Sequence, residues 1–145
     1  MAIDRQATGL LALRILIGIF FLFEGLGKLR WFADTSILSG FLSTWSQSVA
    51  AGSMSAWYLS KIAVPGVRIF ARLVPLAELF GGLALIVGLW TPIVAFLAFF
   101  MVLNIHIASG AIFKYSFLTN GYGLPVLGST LALAIGGVRL RWSVR

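Results

Sequence analysis

Residues 73–90 read LVPLAELFGGLALIVGLW, eighteen residues with a single charge, Glu78. As a helix that stretch rises ~27 Å at ~1.5 Å per residue, close to the ~30 Å hydrocarbon core of a bilayer. A carboxylate inside that layer costs ~2.5 kcal/mol or more to insert, so it must face protein or water and have a partner. The remaining segments are constrained by what they can offer Glu78.

Composition places the whole chain in the same environment. Of 145 residues 60% are hydrophobic and 10% charged, with mean hydropathy +1.02, whereas a soluble domain carries ~25% charged residues. The chain reads as one integral membrane domain whose first partner is the lipid bilayer. Its net charge of +7 comes from eleven Lys and Arg, nearly all at segment ends and in connections. There they meet anionic head groups, and no basic face is left for nucleic acid. Cysteine is absent, which excludes disulfides, thiolate metal sites and dithiol exchange within this chain.

Four spans are expected: 7–29, 67–90, 93–113 and 123–140. The first is too long for a signal-peptide core and lacks a small-residue cleavage site after it. Its Arg14 lies about two turns in and is expected to snorkel to the nearer surface. Glu24 and Lys28 stand four apart with the acid first, the favourable order for a helical ion pair. Gly18, Gly25 and Gly27 allow another helix to come close. The second span carries Pro75, and a start near residue 67 with a kink there crosses more easily than a start at the proline. Thr91-Pro92 is read as the short turn joining antiparallel second and third spans. Asn104 and His106, two positions apart on the third, fall ~200° apart on the helical wheel. The fourth span has Pro125 in its first turn, where proline is tolerated. The tail after it brings three arginines and Trp142, a basic interface anchor. Both termini are expected in the cytoplasm.

The connection 30–66 is too polar and broken to cross. Leu38, Phe41, Leu42, Trp45 and Val49 recur in it at helical spacing. They predict an amphipathic helix, either lying in the interface with Trp31, Trp45, Trp57 and Tyr58 as belt aromatics or packed on the bundle rim. The fold class is therefore an all-α membrane protein, an antiparallel four-transmembrane-helix bundle with an interfacial helical segment between helices 1 and 2.

Depth along the spans brings polar residues together. Counted from the side of the long connections, Glu24 lies ~8 Å in, Glu78 ~9 Å and His106 ~10 Å. Asn104 follows half a turn deeper, and Lys28, Arg72 and Tyr122 stand just above. One reading is a stabilising network, with Glu24 paired to Lys28 or Arg72 and Glu78 to Arg72 or His106. The other is a pocket open to the interface, where a lipid-soluble ring accepts hydrogen bonds from His106, Asn104 or a protonated glutamate. Two acids beside an imidazole suit the proton traffic of quinone chemistry. One histidine, no cysteine and no ExxH pair give no expectation of a metal site. His106 is expected as an interior hydrogen-bonded residue rather than an axial ligand to haem or pigment.

The runs RILIGIFFLFEGLGKL, AELFGGLALIVGLWTP, LNIHIASG and NGYGLPVLGSTLALAIGG resemble the DoxX family of small four-helix bacterial membrane proteins. The long connection with spaced Trp and Phe is more similar to the DoxD branch, the small membrane subunit of thiosulfate:quinone oxidoreductase. The resemblance implies a place in the bacterial inner membrane, quinone-coupled redox chemistry and a partner membrane or soluble redox subunit. By position Lys28 matches the family's GLGKL lysine, Glu78 its second-span glutamate and His106 its third-span histidine. Gly123 stands where many relatives carry a glutamate. Two functions follow as expectations: a quinone-interacting subunit of a system that oxidises sulfur compounds, or a non-catalytic accessory subunit of a larger respiratory or photosynthetic complex that holds lipid or pigment.

Overall fold

A computed structural model describes residues 4–112 and 114–140, and every regular element among them is helical. In chain order these are α1 (Arg5–Gly27), a 3-10 turn (Leu29–Phe32), α2 (Ser36–Ser48) and α3 (Met54–Tyr58), which runs into a π turn (Leu59–Ala63). Then come α4 (Val67–Val87), α5 (Thr91–Ala108), α6 (Tyr115–Thr119) and α7 (Leu124–Gly136), extended by a 3-10 turn (Gly137–Arg139). The expected end of the third span at Phe113 and the anchor Trp142 in the basic tail lie outside the described residues.

Among the described residues three helices, α1, α4 and α5, are long and apolar enough to cross a membrane. The Asp4 carboxylate opens α1 by accepting from the backbone N–H groups of Gln6 at 3.0 Å and Ala7 at 3.2 Å, donors the helix itself leaves over. α4 continues through Pro75 and stops at Gly88, whose φ of 80° is the left-handed conformation that commonly closes a helix. The turn between α4 and α5 is thus Gly88-Leu89-Trp90 rather than Thr91-Pro92. Proline fits the start of a helix, and Thr91 and Pro92 are already the first residues of α5.

The α1–α4 pair is the most extensive contact in the bundle, and glycine makes it so. A Cβ on Gly82 would lie 2.5 Å from the Leu22 nitrogen and 2.7 Å from the Gly18 oxygen, so the two backbones touch at this crossing. Gly25 sits nearly as close, with the Leu79 nitrogen 2.8 Å from where a Cβ would be, but Gly27 has no described atom within 4 Å of that point and takes no part. Lipid tails are as apolar as leucine, so such close packing, not burial from water, holds membrane helices together. Phe21, Leu85, Val102 and Leu133 bring α1, α4, α5 and α7 into one core. Leu16, Phe23, Phe80, Ile93 and Leu97 point outward as the lipid-facing belt.

Two expectations change, and one open choice is decided. Arg14 is 2% exposed and turned inward instead of running out to the head groups. It belongs to the stripe Arg14, Gly18, Phe21, Gly25 that α1 presents to its neighbours, so helical phase fixes its direction. The fourth apolar segment, expected as one α-helix over 123–140, is α-helical for 13 residues only; at Gly136-Gly137, poor helix formers, it tightens into the 3-10 turn. Finally, α2 packs on the rim of the bundle. Leu38 and Leu42 close over Leu59, Ala63, Ala71 and Ala108, with Trp31, Trp45, Val49 and Tyr58 around them. The amphipathic face is covered by protein, and Phe41 and Trp57 remain exposed.

Candidate functional site

Lys28 caps the C-terminal end of α1, where a cation is favoured by the helix dipole. Its ammonium lies 2.8 Å from Glu24 Oε2 and 2.8 Å from both Oε1 and Oε2 of Glu78. Glu78 comes from α4, held against α1 by the glycine contact one turn away. The Glu78 side chain is 0% exposed, Lys28 17% and Glu24 40%, so the cluster grades from solvent-facing to sealed. Tyr122, in the turn before α7, donates its hydroxyl to Glu78 Oε1 over a long 3.4 Å. Burial, reinforced by the charges of Glu78 and Glu24, pushes the Tyr122 phenol well above its ordinary range. It therefore stays neutral and keeps its proton to donate.

His106 enters through Tyr122. Its Nε2 is 3.0 Å from the Tyr122 backbone oxygen, and a carbonyl only accepts, so Nε2 carries the proton. That nitrogen is committed to the turn, and the ring's remaining lone pair is at Nδ1. The ring packs edge-on against Phe117 at 4.9 Å. Gly123 completes the turn: a Cβ there would strike the Phe117 carbonyl oxygen, so a larger side chain has no room in this backbone.

The fold brings five of the seven candidates into one group and sets Asn104 in a separate contact. Glu24, Lys28, Glu78, Tyr122 and His106 form one continuous chain of contacts. Asn104, on the opposite face of α5 as its spacing from His106 requires, accepts a 2.9 Å hydrogen bond at Oδ1 from the Tyr58 hydroxyl. Arg72 does not join. It is exposed on the outer side of α4 and donates to the Arg68 carbonyl at 3.1 Å, so neither acid pairs with it. Position 72 is six residues from Glu78, and six steps of ~100° leave it well off the acid's face.

A cavity of about 610 Å³ opens beside this chain, within the ~300–1,000 Å³ of small-molecule sites. Glu24, Lys28, Tyr122 and Asn104 line its polar side, and Phe20, Trp31, Phe41 and Trp45 its aromatic walls. The Lys28 ammonium is 5.9 Å from the centre of the Trp31 ring, within cation–π range. Glu78 and His106 lie behind this surface and support it instead of lining it. Tyr58, expected as a belt aromatic, turns inward to Asn104. No periodicity signals that, because α3 is only five residues long and its direction depends on the Ser55 hydroxyl reaching the Ile107 carbonyl at 2.6 Å.

The family model described as DoxX matches residues 9–110. No curated protein and no solved structure matches the chain.

Proposed function

The chain belongs to the DoxX family, and from that premise we propose that it is a quinone-binding membrane subunit of a system that oxidises sulfur compounds. In this reading it is a four-span bundle in the bacterial inner membrane with both termini cytoplasmic. α7 and its 3-10 extension, which together rise ~26 Å, make the fourth crossing in this reading. The observation that carries the proposal is the aromatic-walled cavity with its polar side at Lys28, Tyr122 and Asn104. A quinone ring is flat and apolar, with two carbonyl acceptors at opposite ends. Aromatic faces suit the ring, the Asn104 amide, its oxygen taken by Tyr58, offers N–H donors to one carbonyl, and the positive charge of Lys28, whose own N–H groups are held by Glu24 and Glu78, favours the other through space.

Reduction of a quinone to its quinol takes up two electrons and two protons. The electrons would come from a partner chain joining two thiosulfate ions through a new S–S bond, which releases two. The residues here hold the protons. Two acids flank one ammonium, a formal charge of −1 that one proton neutralises. Lys28 faces the cavity, Glu24 reaches the exposed side to be refilled, and Glu78 holds Lys28 in place from behind.

Titrating the purified protein with a tail-less dimethoxybenzoquinone tests the reading through tryptophan fluorescence, to which Trp31 and Trp45 in the cavity wall contribute. Saturable quenching is expected. Asn104→Leu, at an exposed side chain, should weaken it about tenfold, the equivalent of ~1.4 kcal/mol. If quenching never saturates and the chain co-purifies in fixed ratio with a larger assembly, the accessory role replaces this one.

A further inference from the structure

A second cavity, of about 860 Å³, runs along the outer side of the bundle between α4 and α5. Its floor on α4 is made by Ala77, Gly81 and Ala84, and its wall on α5 by Leu97 and Met101. Among the described residues no charged side chain lines it. A Cβ on Gly81 would touch only Val94, at 3.8 Å, so the trough is real space and not a tight helix contact. Phe70, Val74, Asn104 and Ile105 belong to this cavity and to the polar one alike. The two spaces meet at Asn104. From there the trough follows α5 back to Trp90, ~21 Å of helix at ~1.5 Å per residue.

We propose that this α4–α5 trough holds the hydrocarbon tail of the quinone whose ring occupies the polar cavity, and that the molecule enters sideways from the lipid past Asn104. The assignment rests on the quinone reading above and adds what that reading lacks, a place for the tail. Continuity argues for it: a ring at Lys28 and Asn104 has an apolar exit at the shared residues, and that exit leads along a charge-free groove open to acyl chains. Asn104 is then the gatepost, polar toward the ring and flanked by Ile105 and Val74 toward the tail. In lipid a trough of this kind is never dry, so the tail gains by displacing disordered acyl chains and by being tethered to its own ring.

The experiment compares a decyl-tailed benzoquinone with the same ring lacking a tail, in nanodiscs, on wild type and on Gly81→Leu and Ala84→Phe, which fill the trough without touching the polar cavity. Decyl-quinone affinity should fall at least tenfold in the filled variants, while the affinity for the tail-less ring stays within twofold of wild type. Both ligands binding all three proteins with unchanged affinity would overturn the tail assignment and leave the quinone reading standing. Neither ligand binding wild type would overturn both. Since a filled variant that fails to fold reports nothing, a diazirine at the tail end of the decyl quinone supplies a second readout on wild type. Photolabel on residues 80–101 supports the trough, and label confined to α1 or α7 refutes it.

Discussion

Replacing Lys28 with Met tests the reasoning behind the site most directly. Its ammonium makes three contacts of 2.8 Å, two of them to the only oxygens of a side chain with no exposure at all. The Tyr122 hydroxyl, at 3.4 Å, is too distant to compensate. Removing one member of a buried ion pair strands the other, at a cost of ~3–5 kcal/mol. Glu24→Gln should differ sharply, because that side chain is 40% exposed and water takes over, at ~0–1 kcal/mol. The double variant Lys28→Met/Glu78→Met removes the stranded charge and should be more stable than Lys28→Met alone by ~2 kcal/mol or more. The assay is reversible unfolding in mixed micelles with rising SDS, followed by tryptophan fluorescence. A Lys28→Met protein within ~0.5 kcal/mol of wild type, or single costs that simply add in the double variant, would refute the buried triad.

Other outcomes follow from single positions. Gly82→Ala should destabilise by ~1–3 kcal/mol, because the new methyl meets the Leu22 and Gly18 backbones. Gly128→Ala, with nothing within 4 Å, should gain ~0.5–1 kcal/mol in the same unfolding assay. Thr91→Val should leave stability unchanged or raise it, since the buried Thr91 hydroxyl has no hydrogen-bond partner among the described residues; a loss above ~1 kcal/mol would contradict that. Tyr122 keeps its proton in the folded protein above the pH at which an unfolded tyrosine loses it. Stability from this group is therefore complete below about pH 10 and falls as pH rises further. Phenolate absorbance should show one of the three tyrosines resisting titration until unfolding, and Tyr122→Phe should abolish that class.

The candidate site was legible where helical phase governs. The four-residue interval between Glu24 and Lys28 gave their pairing, and the two-residue interval between Asn104 and His106 gave their separation onto opposite faces of α5. Counting residues from the helix ends put Glu24, Glu78 and His106 near one level, and the contact chain through Lys28 and Tyr122 joins them. Phase was misjudged at Arg14 and Arg72. The first lies on the glycine stripe of α1 and faces in; the second lies off the Glu78 face and points out. Which residues line the cavity and which stand behind them was not legible, since that depends on how far the turn at Tyr122 folds back over Glu78.

The sequence by itself determined the medium, the helices and the need for a partner at Glu78. An eighteen-residue apolar run, a scarcity of charge and a carboxylate that lipid cannot solvate leave few alternatives. Tertiary structure decided which cation meets that carboxylate. Gly18, Gly25 and Gly82 let α1 approach α4 to backbone contact, and that approach, which no local pattern specifies, brings Lys28 to both oxygens of Glu78. It also decided that α2 covers the bundle end, because Ala71 and Ala108 leave a seat for Leu38 and Leu42 only after α4 and α5 have packed.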